Sequence, residues 1–76
     1  MTGPDALGPL VVDARGMRCP WPALRLARAL REASDVLLLA DDAQAGREVA
    51  ALADEHGWSV EDTVAASGEA GWRVRR

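Results

Sequence analysis

Phenylalanine and tyrosine are absent from this 76-residue chain, which has one cysteine, Cys19, and one histidine, His56. Each shortage removes a class of protein. A single thiol cannot form an intramolecular disulfide, so a disulfide-stapled secreted domain is excluded. Cys19 and His56 fall short of the ligand set that a structural zinc site requires, so no metal is expected. No apolar run approaches the roughly 20 residues of a membrane helix. Met1 to Leu7 has no basic residue leading into an apolar core, so neither a membrane contact nor a signal peptide is expected. The expected location is cytoplasmic, where Cys19 stays reduced. The length suits one core, and a multi-step active site with its own lid and substrate cavity does not fit. A small carrier, a binding module or a one-residue chemistry is left, and none of them calls for a cofactor.

What is present is apolar and unevenly charged. Hydrophobic residues make up 49% of the chain, enough for a packed core, and three tryptophans carry all the large aromatic bulk. The net charge is −3. Arg15, Arg18, Arg25, Arg28 and Arg31 nevertheless fall in one acid-free stretch, while seven of the twelve acids lie between Asp41 and Asp62. One basic end on an acidic chain points to local recognition of an anion or an acidic partner, not to direct nucleic-acid binding. The plainer reading is that the arginines solvate a helix face.

The hydrophobic pattern gives the element order. Residues 1–9, with two glycines and two prolines, read as a flexible tail. Leu10 to Ala14 is an apolar, β-branched run and predicts a strand. Arg15 to Arg18 is a turn, with Gly16 free to take positive φ. Pro20 and Pro22 open a helix running to about Ala33, since prolines are tolerated where the first amides have no internal partner. Ala23, Leu24, Leu26, Ala27 and Leu30 form its apolar side, with Arg25, Arg28 and Arg31 opposite. Val36 to Ala40 is a second strand. Asp41 or Asp42 is placed to cap a second helix, Asp41 in a capping box with Gln44. That helix ends near His56, at Gly57. Strands follow from Trp58 to Val64 and from Trp72 to Arg75, where Arg73, Arg75 and Arg76 are expected to solvate and protect an edge. The order βαβαββ predicts a two-layer α/β sandwich, a four-stranded mixed sheet with both helices on one face. The run Val36 to Leu39 is too apolar for a wholly wet face, so an exposed apolar patch is expected on the bare side.

Chemistry concentrates at Arg18-Cys19-Pro20-Trp21-Pro22. Cys19 stands just before the first helical turn, where free amides and the positive end of the helix favour an anion. With Arg18 adjacent and Arg15 close in sequence, its pKa is expected to fall from the free-thiol value of about 8.5. A dithiol oxidoreductase carries a second cysteine three residues after the first, and that position is Pro22. With no resolving thiol, whatever Cys19 accepts must leave to another molecule. A persulfide fits, because it is acidic, anionic and transferable through its outer sulfur. The two prolines hold the loop rigid. A lone cysteine is otherwise most often a small buried hydrophobe.

The segment from Asp13 to Pro22, with Asp13, Gly16 and the Cys-Pro-x-Pro of Cys19, Pro20 and Pro22, resembles the N-terminal signature of the TusA/SirA family of sulfur carriers. The likeness continues through Leu38-Leu39-Ala40-Asp41-Asp42 and spans residues 10–76 as a single TusA-like domain. It departs where the family commonly has a glycine between the first helix and second strand, and at Ala43, where the family commonly has proline. The resemblance implies that Cys19 takes sulfur from a cysteine desulfurase or a rhodanese-type donor. It also implies delivery to a downstream acceptor protein, for tRNA thiolation, molybdenum-cofactor supply or sulfur oxidation, as a carrier more than a turnover enzyme. Trp21, Arg25, Arg28, Asp41 and Asp42 are candidates for partner docking. Asp13 reads as a turn former or as a group orienting Arg15 or Arg18. His56 reads as a partly buried helix-end residue. Two other functions remain open on the residues alone: a regulatory protein-interaction module, and a monothiol redox sensor.

Overall fold

The computed structural model describes residues 8–64 and 68–76. The elements run β1 (Leu10–Asp13), α1 (Trp21–Glu32), β2 (Asp35–Leu39), α2 (Ala45–His56), β3 (Ser59–Val64) and β4 (Ala70–Arg75). The expected strand and helix boundaries each shift by a residue or so, and the last strand begins two residues early. The start of the second helix shifts for a structural reason given below. Of the expected tail, residues 1–7 lie outside the described residues, as does Ser67 in the expected last turn.

The apolar runs of β1 and β2 pair in parallel, with Val12 opposite Leu38. The sheet order is β1-β2-β4-β3, and β4 is antiparallel to both of its neighbours. The sheet is therefore mixed, as expected, but the last strand is central. Arg73 and Arg75 do not guard an edge. They face β2 and β3, and Arg73 bonds both oxygens of Asp35 through Nε at 2.9 Å and Nη2 at 2.6 Å. The sequence order placed this strand last, while the hairpin from β3 folded it back into the gap beside β2.

Both helices cover one face and touch each other, α1 over β1 and β2, α2 over β3 and β4. Leu26, Leu30, Val36, Leu38, Val49 and Val74 are fully buried between the layers, each worth roughly 1.5–3 kcal/mol relative to exposure. Trp72 lies half-buried on the same face, its indole against Gly46 in the first turn of α2. The shortest dimension, 18 Å, is that of two layers. Helix α1 ends without a glycine: Ala33 turns to extended backbone at φ −130°, and the chain enters β2 directly. Gly57, at φ +74°, ends α2 in the left-handed conformation expected of it.

The other sheet face carries the expected apolar patch only in part. Val11 is 56% exposed and stands opposite Leu37. Leu39 is buried, because Leu37 and Leu39 fold over the bare backbone of Gly71. The Asp35–Arg73–Arg75 cluster makes the rest of that face polar.

Candidate functional site around Cys19

Because β1 and β2 are parallel and β4 antiparallel, the end of β1, the end of β2 and the start of β4 meet at one sheet edge. The loop that carries Cys19 leaves from there. Its first half is closely held. Ala14 donates its amide to Leu39 O at 2.7 Å. Asp13 accepts from the Arg15 amide at 3.1 Å and from its guanidinium at 2.8 and 2.7 Å. Asp13 thus both forms the turn and orients Arg15, and that pairing lowers its carboxyl pKa to about 2. Arg15 also pairs with Glu69 at 2.8 Å. Gly16 sits at φ +83°, the left-handed region that a side chain disfavours. Its amide donates to Asp41 Oδ1 at 2.9 Å.

That last bond corrects the capping expectation. Asp41 is drawn across to the Cys19 loop, and Asp42 Oδ2 accepts from the Gln44 amide at 3.0 Å in a turn of its own. Helix α2 then begins at Ala45 with Gln44 at the cap position and no side-chain cap. The two neighbouring acids point to different tasks, as adjacent residues in extended backbone do.

Cys19 is exposed, so the buried-hydrophobe reading does not hold. It is joined to Pro20 by a cis peptide bond. Its electrostatics reverse the expectation. The thiol pKa is raised, first by the protein atoms that crowd it, then by the charge of Glu48 and a hydrogen bond to that carboxylate, and then by Asp42. Three features explain the difference. Arg15 is spent on Asp13 and Glu69. Arg18 is exposed and makes no ion pair among the described residues, and no arginine figures among the groups acting on the thiol. The helix start is also poor in donors: Pro20 and Pro22 have no N–H, and Trp21 gives its amide to Arg18 O at 2.9 Å. Ala23 holds the remaining amide before the first helical bond, from Leu24 to Pro20 O at 3.1 Å. Sequence reasoning missed Glu48. The signal was available: α2 follows a strand parallel to β1, so its first turn stands beside that of α1.

The docking candidates separate onto two sides of α1. Arg25 reaches back to Asp13 O at 3.4 Å and to Met17 Sδ at 3.8 Å, stitching helix to loop. With Arg28, Glu32 and Ala29 it lines a shallow depression over Val12. Trp21 and Leu24 are 59% and 52% exposed; Leu24 was expected in the core. Instead Leu24 and Ala27 face a groove between the helices that begins at Pro20 and Glu48, beside the thiol. His56 is exposed, not partly buried, and stacks on Trp58 with ring centroids 4.4 Å apart. It lies two helical turns beyond Glu48, roughly 12 Å along the axis, too far to serve Cys19 as a base. Among the described residues no cluster suits a metal ion, and no helix is long and apolar enough to cross a membrane.

Comparison with known proteins gives this site its context. The model of the family described as "Sulfurtransferase TusA" matches residues 10–76. The chain belongs to the TusA family. A SirA-like protein of Desulfitobacterium hafniense has a similar crystal structure, with a TM-score of 0.76 and 24% identity over 87% of this chain and 95% of that one. At that identity it supports the fold alone. A search of curated proteins returned no significant match. Membership of the TusA family makes this chain a sulfur carrier.

Proposed function

We propose that Cys19 is the carrier sulfur and that residues 10–76 form the carrier domain. The observation that supports it best is a lone exposed thiol at a proline-fixed turn, with no second cysteine in the chain to receive its cargo. Loading is attack by the Cys19 thiolate on the outer sulfur of a donor persulfide. The donor's S–S bond breaks, its own thiolate leaves, and Cys19 becomes Cys19–S–SH. Delivery is the same exchange in reverse roles: an acceptor thiolate takes the outer sulfur, and Cys19 departs as thiolate and regains a proton. Sulfur moves between thiols with no net oxidation or reduction. The donor is a cysteine desulfurase or a rhodanese-type protein. The acceptor serves tRNA thiolation, molybdenum-cofactor supply or sulfur oxidation. The cytoplasm suits a thiol that must stay reduced.

Arg18 is the cation nearest in sequence to a persulfide anion on Cys19. Arg15, Asp13, Gly16 and Asp41 act by fixing the loop. A redox-sensing role is less well supported, because the family whose model matches residues 10–76 is one of sulfurtransferases. The test is intact mass after incubation with a cysteine desulfurase and cysteine, or with a rhodanese and thiosulfate. The wild-type chain gains the mass of one sulfur atom and Cys19→Ser gains nothing. An adduct that persists in Cys19→Ser overturns the assignment, and the more effective donor system names the donor class.

A further inference from the structure

The groove between α1 and α2 has two chemically distinct parts. Its floor is apolar and shallow, made by Leu24 and Ala27 of α1 with Ala51 and Leu52 of α2. Its rim is acidic: Glu48, Asp54 and Glu55 line it, and no basic residue does. Asp42 adds a carboxylate at the end where Cys19 stands. Leu24 is half-exposed there, and Trp21 stands exposed at the head of the same helix. Arg25 and Arg28 of α1 occupy its other flank, with Val12 and Glu32, while Arg31 follows Leu24 by two helical turns at the far end of α1.

We infer that this groove seats an amphipathic, cationic segment of the partner protein that exchanges sulfur with Cys19, its apolar side chains on Leu24 and Leu52 and its lysines or arginines on Glu48, Asp54 and Glu55. The inference rests on the carrier reading and adds the chemistry by which a partner is recognised. Charge complementarity selects the occupant: an apolar strip whose charged lining residues are Glu48, Asp54 and Glu55 favours a segment of opposite sign and repels an acidic one. The groove opens beside the thiol, so a segment lying in it brings its own cysteine to Cys19. A cation placed against Glu48 and Asp42 also offsets the part of the rise in the thiol pKa that those carboxylates cause, after the crowding by neighbouring atoms.

Two short helical peptides test this, each with one leucine face and one cysteine, the first with lysines on the polar face and the second with glutamates. In the binding arm the cysteine is replaced by serine and the unloaded protein is titrated, following amide shifts of Leu24, Ala27 and Ala51. The lysine peptide is expected to bind about tenfold or more tightly than the glutamate peptide. Asp54→Lys/Glu55→Lys removes that preference. Cations suit the last turn of α2, so this variant keeps its fold. Glu61→Lys/Asp62→Lys, which changes net charge equally on β3, leaves the preference in place. Equal binding of the two peptides overturns the proposal, as does equal loss in both double variants. Concentration-dependent self-association abolished by Asp54→Lys/Glu55→Lys also overturns it, since the occupant is then a second copy. In the transfer arm Cys19 is first loaded with sulfur, and the lysine peptide's thiol is expected to receive it faster than free cysteine does. Failure of all loading counts against the carrier reading while leaving the binding arm readable. Transfer at equal rates to both peptides and to free cysteine counts against the groove alone.

Discussion

The two halves of the loop after β1 are built on opposite terms. From Asp13 to Gly16 the chain is tied on several sides: Ala14 to Leu39, Asp13 to Arg15, Arg15 to Glu69 and Gly16 to Asp41. From Arg18 to Trp21 the ties are fewer: the Trp21 amide returns to Arg18 O, Pro20 O takes the Leu24 amide, the thiol meets Glu48, and the side chains of Arg18, Cys19 and Trp21 stand exposed. A sulfur that must meet both a donor and an acceptor has to be reachable, so it cannot itself be packed. Its position is fixed mostly next door, by the bonds of the first half, and by prolines that restrict the backbone without needing partners. The two halves should therefore respond separately to mutation, one through stability and the other through thiol chemistry.

Leu26→Ala is the harshest test of that separation. Leu26 is fully buried on the inner face of α1, and its truncation should cost about 2–5 kcal/mol in urea denaturation. Iodoacetamide should still alkylate Cys19 of the folded protein at the wild-type rate; a large change there means that thiol and core are coupled. Gly16→Ala comes next. Space is open around Gly16, but its φ of +83° penalises a side chain, so the loss should be about 1–2 kcal/mol. Wild-type stability in this variant shows that the loop adopts another conformation. Asp41→Ala removes the acceptor of the Gly16 amide and should cost about 0.5–1.5 kcal/mol. Its signature is faster hydrogen exchange at Gly16 with unchanged exchange at Val36. Uniform acceleration at both amides shows that Asp41 serves the whole domain, not the loop.

The fold was legible because its signals are local and agree. Period-two and period-3.6 patterns marked the elements, and Gly57 and the paired prolines marked helix ends. The exposure of Cys19 followed from its turn. What escaped was set by topology. The insertion of β4 between β2 and β3 turned presumed edge arginines into partners of Asp35, and no local pattern encodes that. Asp41 looked like a cap because capping is the commonest use of an acid after a strand. The parallel pairing of β1 and β2 instead brought it to the Gly16 amide. The sign of the shift at Cys19 was misread for the same reason. Counting arginines along the chain placed cations near the thiol, while the folded chain occupies Arg15 elsewhere and sets Glu48 against the sulfur.

The gentlest change reads that inversion directly. Glu48→Gln keeps the shape of the side chain and removes its charge, so the thiol pKa should fall toward the ordinary value of about 8.5. Alkylation at neutral pH should then speed up, by about tenfold for each pH unit of displacement of the rate profile, with little change in urea stability at that pH. The same group predicts a slope at alkaline pH. With the folded thiol's pKa above its unfolded value, both states hold the proton at neutral pH and the stabilising contribution is complete. As pH rises past about 8.5 the unfolded chain loses its proton first, so stability declines until the folded thiol ionises as well. Glu48→Gln and Cys19→Ser should both flatten that decline. A rate profile unmoved by Glu48→Gln would mean that crowding by neighbouring atoms, not the carboxylate, holds the proton on Cys19, and a docked cation would then have no charge there to neutralise.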